Sequence, residues 1–494
     1  MADGLRLPRG GWAGSVTALF SGACLALGQA PYNLTEVAFV ALVVCVALFD
    51  PDATARQNAR TGWLIGLANF TVALLWIVEP FWVEAEIYGW MAPFALLGLA
   101  GGLALFWSGA YFLAGKLRSR WGLVICLAAA ELARGYVLTG FPWALISYIF
   151  AERPIIQWVS VIGPFGLTLA VLAFANWAAV ALFRRRFPFA ALVGLGLAWV
   201  GGLWITPAES DLRNRPVVRL IQPNAPQHEK WDPDKIPIFF QRQIDFTGAA
   251  GNPALILWPE TALPMLLHNA DRAFDLIAEA ASGAPVILGI QRADGTRYHN
   301  SLVVLSPSGR AEQIYDKHHL VPFGEYMPLA GLFARLDILG LAARADGGYA
   351  AGPGADLLDL GPLGTGLPLI CYEAVFPQNI HAAPARADML IHLTNDAWFG
   401  QHSGPYQHLA QARIRAIEQG LPILRAANTG VSAVIDGAGR VLDQLALGTT
   451  GFVDVPIPTP LPPTLYSRTG DLPILILLIA LAGGAIRGAC GKSR

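Results

Sequence analysis

Charge is what this sequence has least of. Asp, Glu, Lys and Arg make up 14% of its 494 residues against 54% hydrophobic residues, and the formal net charge is -1. That is more apolar than a water-soluble enzyme requires, so part of the chain is expected in lipid. With neither a basic excess nor a basic run interleaved with aromatics, nucleic acid is excluded as a partner. Cysteine is scarce too. The five thiols, Cys24, Cys45, Cys126, Cys371 and Cys490, form no CxxC pair, which excludes a disulfide framework and the common zinc spacings. A nucleotide loop is missing: Gly491-Lys492-Ser493 ends like one, but Ile486 stands where the first glycine is required. Gly98 to Gly102 is expected to serve close helix contacts instead.

Long apolar runs are what the chain does have. Windows near 11–29, 34–50, 61–78, 91–114, 121–138, 159–182, 188–206 and 472–488 approach or exceed the roughly 17 to 25 residues that span a bilayer. Basic residues mark alternate connections: Arg6 and Arg9, then Arg56 and Arg60, then Lys116, Arg118 and Arg120, then Arg184 to Arg186, and finally Arg487, Lys492 and Arg494. The other connections hold no basic residue near 30–34, Glu79, Glu84 and Glu86 near 79–90, and chiefly Arg153 near 139–158. The basic ends are therefore expected in the cytoplasm and the long segment 207–470 outside it. Three regions result: seven spans in 1–206, an extracytoplasmic domain in 207–470, and an eighth span with a cytoplasmic tail in 471–494. Gly28-Gln29-Ala30 offers small residues at a possible cleavage point, but the apolar run is long for a signal peptide and a retained first span is expected. Glu131 and Arg134, three apart in the fifth span, share a helix face, and a packing ion pair is expected rather than a transport role.

From Pro216 the pattern changes to short β-branched runs separated by turns and helical segments, predicting a mixed α/β domain. Predicted strands are Val217–Gln222, Ala254–Trp258, Val286–Gln291, Ser301–Ser306, Glu312–Tyr315, Leu367–Cys371, Met389–Leu393, Pro422–Ala426, Ser432–Ile435 and Phe452–Val455. Helices are predicted over Asp271–Ser282 and Gly404–Gln419, and the turns Ser306-Pro307-Ser308-Gly309 and Asp436-Gly437-Ala438-Gly439 should join antiparallel strands. Two apolar stretches, Leu263 to Leu267 and Met327 to Leu341, follow acidic residues and are expected as loops that cover a site and dip into the lipid interface.

Three of the apolar runs end in reactive groups. Trp258-Pro259 delivers Glu260, Gln313-Ile314-Tyr315-Asp316 delivers Lys317, and Leu367-Pro368-Leu369-Ile370 delivers Cys371, followed by Tyr372 and Glu373. A base, a cation and a thiol are the parts of an acyl-transfer site. Glu260 can take the thiol proton, while Lys317 and the Tyr372 N–H suit a tetrahedral oxyanion; Glu325 and Glu373 can hold Lys317 charged or orient Glu260. His318, His319, His402 and His408 match no common zinc motif, so hydrogen-bonding roles are expected and no metal or other cofactor is required.

These residues resemble a known family. Trp258-Pro259-Glu260-Thr261, Lys317 through Tyr326, and Cys371-Tyr372-Glu373 are similar to the catalytic blocks of the bacterial apolipoprotein N-acyltransferases, membrane-embedded members of the nitrilase superfamily. Thr394 through Gly400, Gly404-Pro405 with Gln407-His408, and Thr139 through Trp143 are similar to further signatures. Asn428-Thr429-Gly430 replaces the family's frequent Asn-Asn-Gly, and His319 follows His318, but neither departure touches the catalytic blocks. The resemblance implies an eight-helix transmembrane bundle carrying an αββα sandwich, with Cys371 as nucleophile, Glu260 as general base and Lys317 as stabilising cation. It implies that Trp231, Glu325, Tyr372 and Glu373 shape the site. It further implies a phospholipid acyl donor, a diacylated apolipoprotein acceptor, and a monomer in the bacterial inner membrane with its catalytic domain on the periplasmic side. A tethered amidase using water as acceptor is the nearest rival, and a transporter with an external binding domain the next; the many spans and the aromatic loops Phe81-Trp82 and Phe141-Pro142-Trp143 favour lipid access.

Overall fold

The computed structural model describes residues 11–184, 186–328 and 348–492. Two compact units emerge: Met1–Pro207 with His402–Ala410 and Pro463–Arg494, and Ala208–Gln401 with Gln411–Pro462.

The first unit is helical. Gly11–Ala26, Thr35–Leu48, Ala55–Ala73, Ala92–Leu117, Arg120–Tyr136, Val159–Phe183, Phe189–Ile205 and Leu472–Lys492 are helices, each falling on one of the apolar windows. Among the described residues, Ala85–Leu117 and Pro154–Phe183 are long and apolar enough to cross a bilayer. Ala55–Ala73 and Leu75–Trp82 make a third such element if the pair, bent by 64°, is one span, and Gly11–Ala26, Thr35–Leu48, Phe189–Ile205 and Leu472–Gly488 are shorter apolar helices. Ala55–Ala73 begins with a capping box in which the Gln57 amide donates to the Thr54 hydroxyl and the Gln57 side chain accepts from the Thr54 amide.

Within the predicted run Gly101 meets Trp63 of helix Ala55–Ala73, whose indole N–H donates to the Gly101 carbonyl at 3.1 Å, but the tightest approaches come from other glycines. Gly98 and Gly102 face open space, whereas a Cβ on Gly22 would collide with the Ile65 carbonyl oxygen and one on Gly62 would lie 2.7 Å from the Tyr111 ring. Packing partners, which the spacing of glycines does not reveal, decide where a side chain is forbidden. The expected ion pair is present and fully buried. Arg134 Nη2 and Nε lie 2.9 Å and 3.0 Å from the two Glu131 oxygens, Trp107 donates its indole N–H to Glu131 at 2.8 Å, and Arg134 Nη1 donates to the Trp143 carbonyl at 2.8 Å. Trp143, in a loop expected to favour lipid access, has its side chain fully buried, stacked on Phe141 and tilted against Trp76.

The second unit contains two six-stranded mixed sheets. In chain order the strands are β1 Val217–Gln222, β2 Leu255–Leu257, β3 Val286–Asp294, β4 Arg297–Leu305, β5 Ala311–Asp316, β6 Leu358–Asp359, β7 Thr365–Ile370, β8 Met389–Thr394, β9 Ile423–Ala427, β10 Ser432–Ile435, β11 Val441–Leu445 and β12 Gly451–Pro456. Spatial order is β12-β1-β2-β3-β4-β5 in one sheet and β11-β10-β9-β8-β7-β6 in the other. In each, the central strands are parallel (β1, β2 and β3; β7, β8 and β9) and the flanking strands antiparallel.

The period-2 alternation of side chains sorts residues between two cores. Val218, Leu220, Leu255 and Leu257 join Ile370, Ile391, Leu393 and Leu424 of the other sheet in one cluster. Their sequence neighbours Ile221, Ile256 and Trp258 turn the opposite way, onto Phe274 and Ile277 of helix Asp271–Ala281.

The predicted turns at Ser306–Gly309 and Asp436–Gly439 do connect antiparallel pairs, β4 with β5 and β10 with β11. Two short or exposed strands, β6 and β11, were not predicted, because neither carries a buried alternating pattern. Helix Ile236–Thr247 was not predicted either. Leu263 is fully buried in the cluster beneath helix Asp271–Ala281, with Met265 and Leu267 packed on it, so that apolar stretch is core rather than a lipid-dipping loop. Of the second stretch, Met327 to Leu341, the part from 329 onward lies outside the described residues.

Candidate active site

Each of the three reactive groups is placed by the end of a strand. Beyond β2 the chain turns tightly at Pro259-Glu260-Thr261. That turn is bonded to β3, with the Gly289 amide donating to Pro259 O at 3.2 Å and the Ala262 amide to Gly289 O at 2.8 Å. Glycine is required at 289, since a Cβ there would lie 2.6 Å from the Glu260 Cα. Thr261 has φ 45°, a left-handed conformation that costs a β-branched residue energy and persists only where surroundings impose it. Lys317 follows β5 directly and its amide donates to Asn300 O at 2.9 Å.

The predicted strand Leu367–Cys371 ends one residue early. Cys371 leaves β7 with φ 51° and opens the short 3-10 helix Cys371–Val375. The Glu373 carboxylate stabilises this break: it accepts from the Ile370 amide at 2.7 Å, the His318 amide at 2.8 Å, the His319 amide at 3.1 Å and the Tyr315 hydroxyl at 2.9 Å. Glu373 thus ties the Lys317-His318-His319 segment to the Cys371 turn, and its hydrogen bonds go to neither Lys317 nor Glu260.

Lys317 is buried between two carboxylates. Its Nζ is 2.9 Å from Glu325 Oε1 and 3.8 Å from Glu260 Oε1. Asn300 Nδ2 donates to both acids, at 2.7 Å to Glu260 Oε1 and 3.0 Å to Glu325 Oε1. The second Glu260 oxygen accepts from the Asn395 amide at 2.7 Å, and Glu325 Oε2 from the Val321 amide at 2.7 Å.

Burial of Lys317 works against its charge, but Glu325, then Glu260 and Cys371, outweigh it and hold the ammonium well above the ordinary lysine range. Cys371 is shifted the same way for a different reason. Burial and the Glu260 charge push the thiol up, opposed by Lys317 and the Thr394 hydroxyl. A free thiolate beside an ionised Glu260 is therefore disfavoured.

The remaining predicted residues sit in different surroundings. Tyr372 is buried edge-on against Phe376, with ring centroids 4.8 Å apart, and its backbone lies in the first turn after Cys371. Trp231 is partly exposed, with its ring 5.7 Å from Lys230 Nζ. His318 Nδ1 pairs with Glu373 at 2.8 Å and His319 stacks on Phe376. His402 and His408 belong to the helical unit, where His408 stacks on Trp143. Asn300, Tyr315 and Lys230 were not singled out from the sequence. Neutral amides and hydroxyls at strand positions carry no pattern of their own; the one available signal was position, since Asn300 precedes the strand residues paired with the end of β5.

Comparison with known proteins places this geometry. Residues 246–460 match the carbon-nitrogen hydrolase family model and residues 21–178 the apolipoprotein N-acyltransferase N-terminal domain model. The chain is similar to an apolipoprotein N-acyltransferase of Rhodopseudomonas palustris, 37% identical, over 95% of this chain and 94% of that protein. Similar relatives of the same name occur in Brucella melitensis, 37% identical with 96% of each chain covered, and in Caulobacter vibrioides, 36% identical with 97% and 96% covered. Among solved structures, an amidase from Nesterenkonia sp. is 18% identical over 51% of this chain and 93% of its own, with a TM-score of 0.37. The second unit has the nitrilase-like carbon-nitrogen hydrolase fold with its two sheets, and, matched over nearly its whole length at 37% identity, the chain belongs to the apolipoprotein N-acyltransferase family.

Proposed function

We propose that this acyltransferase works by ping-pong transfer through a thioester on Cys371. Glu260 accepts the thiol proton as sulfur attacks the ester carbonyl of a membrane phospholipid. The resulting oxyanion is stabilised by the Lys317 ammonium and the backbone N–H of Tyr372. Collapse breaks the ester C–O bond, Glu260 returns its proton to the departing alkoxide, and a lysophospholipid leaves. The α-amine of the diacylglyceryl-modified N-terminal cysteine of an apolipoprotein then attacks the thioester. Glu260 takes a proton from that nitrogen and passes it to the sulfur, giving an amide and restoring the thiol.

The observation that carries this reading is the inequality of the two carboxylates around Lys317: Glu325 is its partner at 2.9 Å, while Glu260 stands off at 3.8 Å with one amide donor on each oxygen. A base must not be consumed by a salt bridge. Glu325 supplies the charge balance that leaves Glu260 free to exchange protons. In this reading Glu373 holds the Cys371 turn, while Trp231 and Tyr372 line the approach of the acyl chain.

The apolar helices support placing the protein in the bacterial inner membrane as eight spans. The basic connections support a periplasmic position for 207–470 between the seventh and eighth spans, as an αββα sandwich within a monomer. Intact mass of the protein after incubation with phospholipid and no acceptor tests the reading. The expected result is an acyl adduct on the native protein and none on Cys371→Ala; release of free fatty acid without an adduct would sink it.

A further inference from the structure

Lys230 is a buried charge beside Glu260 that the proposed mechanism leaves unused. Its ammonium donates to the Glu260 carbonyl oxygen at 3.2 Å and to the Thr261 hydroxyl at 2.8 Å. Around it is a cavity lined by Ile236, Phe239, Phe240 and Gln243 of helix Ile236–Thr247 and by Asn428. Only 7% of the residue is exposed, and an ammonium so far removed from water is retained only where its acceptors are fixed. Those acceptors belong to the turn whose Thr261 has φ 45°. On one side the turn is bonded to the backbone of Gly289; on the other, Lys230 supplies the restraint.

We infer that Lys230 is a positioning residue for the proposed base: by gripping the Glu260 carbonyl and the Thr261 hydroxyl it fixes the angle at which the Glu260 carboxylate is presented to Cys371. This rests on the reading of Glu260 as general base. The carbonyl and the carboxylate belong to the same residue, so rotation of the Pro259-Glu260-Thr261 turn would carry the carboxylate away from the Asn300 and Asn395 donors. Lys230 also connects Trp231 to the site, because the Trp231 ring lies against the same ammonium. Burial pulls Lys230 down to about 8, opposed by Glu260, the ionisable group whose charge acts on it. The charged grip is therefore complete below that pH and weakens as pH rises through it.

The test uses the full-length enzyme in detergent with phospholipid alone and follows thioester formation by intact mass between pH 6.5 and 9.5. The native rate is expected to fall as pH rises through about 8. Lys230→Met should be slower at pH 7 by about 10-fold to 100-fold, the scale of a small misplacement of a reacting group, without the decline near pH 8 and with an unchanged KM for phospholipid. Because burying a methionine there can impair folding, Thr261→Val and Thr261→Ser form a second pair. Both keep the turn, valine being branched like threonine, but only serine retains the hydroxyl that Lys230 holds; slowing by valine and not by serine supports the inference. Native rates and an unaltered pH profile in folded Lys230→Met, or equal rates in the two Thr261 variants, would overturn it. Glu260→Gln run in parallel keeps the two ideas apart: if that variant forms the thioester at the native rate, the assignment of the base has failed instead.

Discussion

Trp143 donates its indole N–H to Gln407 Oε1 at 2.7 Å, joining two segments 264 residues apart in the chain. The Gln407 amide nitrogen in turn donates to the carbonyl oxygens of Ala30 and Ala73, each at 3.0 Å. One glutamine thus satisfies three other positions in the helical unit, which explains why Trp143 is packed inward rather than facing lipid. Gln407→Leu has nearly the same shape and removes all three bonds. A buried group left unpaired costs about 1 to 3 kcal/mol, so the variant should lose on the order of 2 kcal/mol or more. Thermal unfolding in detergent measures this; an unchanged midpoint would remove Gln407 from the packing of the unit.

The carboxylates flanking Lys317 should fail in different ways. Glu260→Gln should slow acylation by about 100-fold to 10,000-fold, the usual contribution of a general base, with the thiol still present. Lys317→Met should cost about 100-fold to 1000-fold, the effect of losing an oxyanion donor. Glu325→Gln leaves Lys317 with Glu260 as its remaining carboxylate partner, so acylation should slow even though Glu325 transfers no proton. Near-native thioester formation in a folded Glu325→Gln enzyme would show that the two acids are not divided as proposed.

The Glu373 network should make stability depend on pH in a stated direction. Burial works against charge on His318, but Glu373 outweighs it, so its value is raised above the ordinary 6.5. A raised value contributes stability that is complete below about 6.5, the unfolded reference, and is lost as pH rises through the folded value. Glu373 itself is lowered, burial notwithstanding, by His318 and the Ile370 amide; its contribution is complete above the usual carboxylate range and disappears in acid. His318→Gln should flatten the decline in unfolding temperature above pH 6.5 and also weaken the acid limb, which then rests on the Ile370 amide and Lys317. A decline of native steepness in the variant would assign it to another group.

In the helical unit, Arg134→Met should be more damaging than the double replacement of Arg134 and Glu131 by methionine. Removing one partner of a buried pair typically costs about 3 to 5 kcal/mol because an unpaired charge stays behind, whereas replacing both can be close to neutral. Here Glu131 would retain the Trp107 indole donor, which places the single variant near the lower end. Unfolding midpoints of the two variants decide it, and a double variant worse than the single would contradict this view of the pair.

The site was legible in the sequence where chemistry and strand ends coincide. Glu260, Lys317 and Cys371 each follow an apolar run, and a thiol, an acid and an ammonium announce themselves by type. Asn300 and Lys230 were not legible for the opposite reason: an amide and an isolated lysine acquire meaning only through the atoms they reach, Glu260 Oε1 in one case and Glu260 O in the other. The same limit applies to packing. Val217–Gln222 was recovered to the residue because its short β-branched and apolar run is bounded by Pro216 and Pro223, while the burial of Trp143 was not legible because an indole suits a membrane interface and a buried hydrogen bond equally well.

Glu260 Oε1 is held by Asn300 from β4 and Oε2 by the Asn395 amide just beyond β8. These two strands belong to different sheets, so the carboxylate is strung between the layers like a wire between two posts. Any change in their spacing or lateral offset pulls on it. A core substitution remote from Cys371, such as a trimmed leucine between the layers, would thus detune the proposed base while leaving the fold intact. Turnover in this enzyme should register sub-ångström distortions of its interior well before calorimetry does.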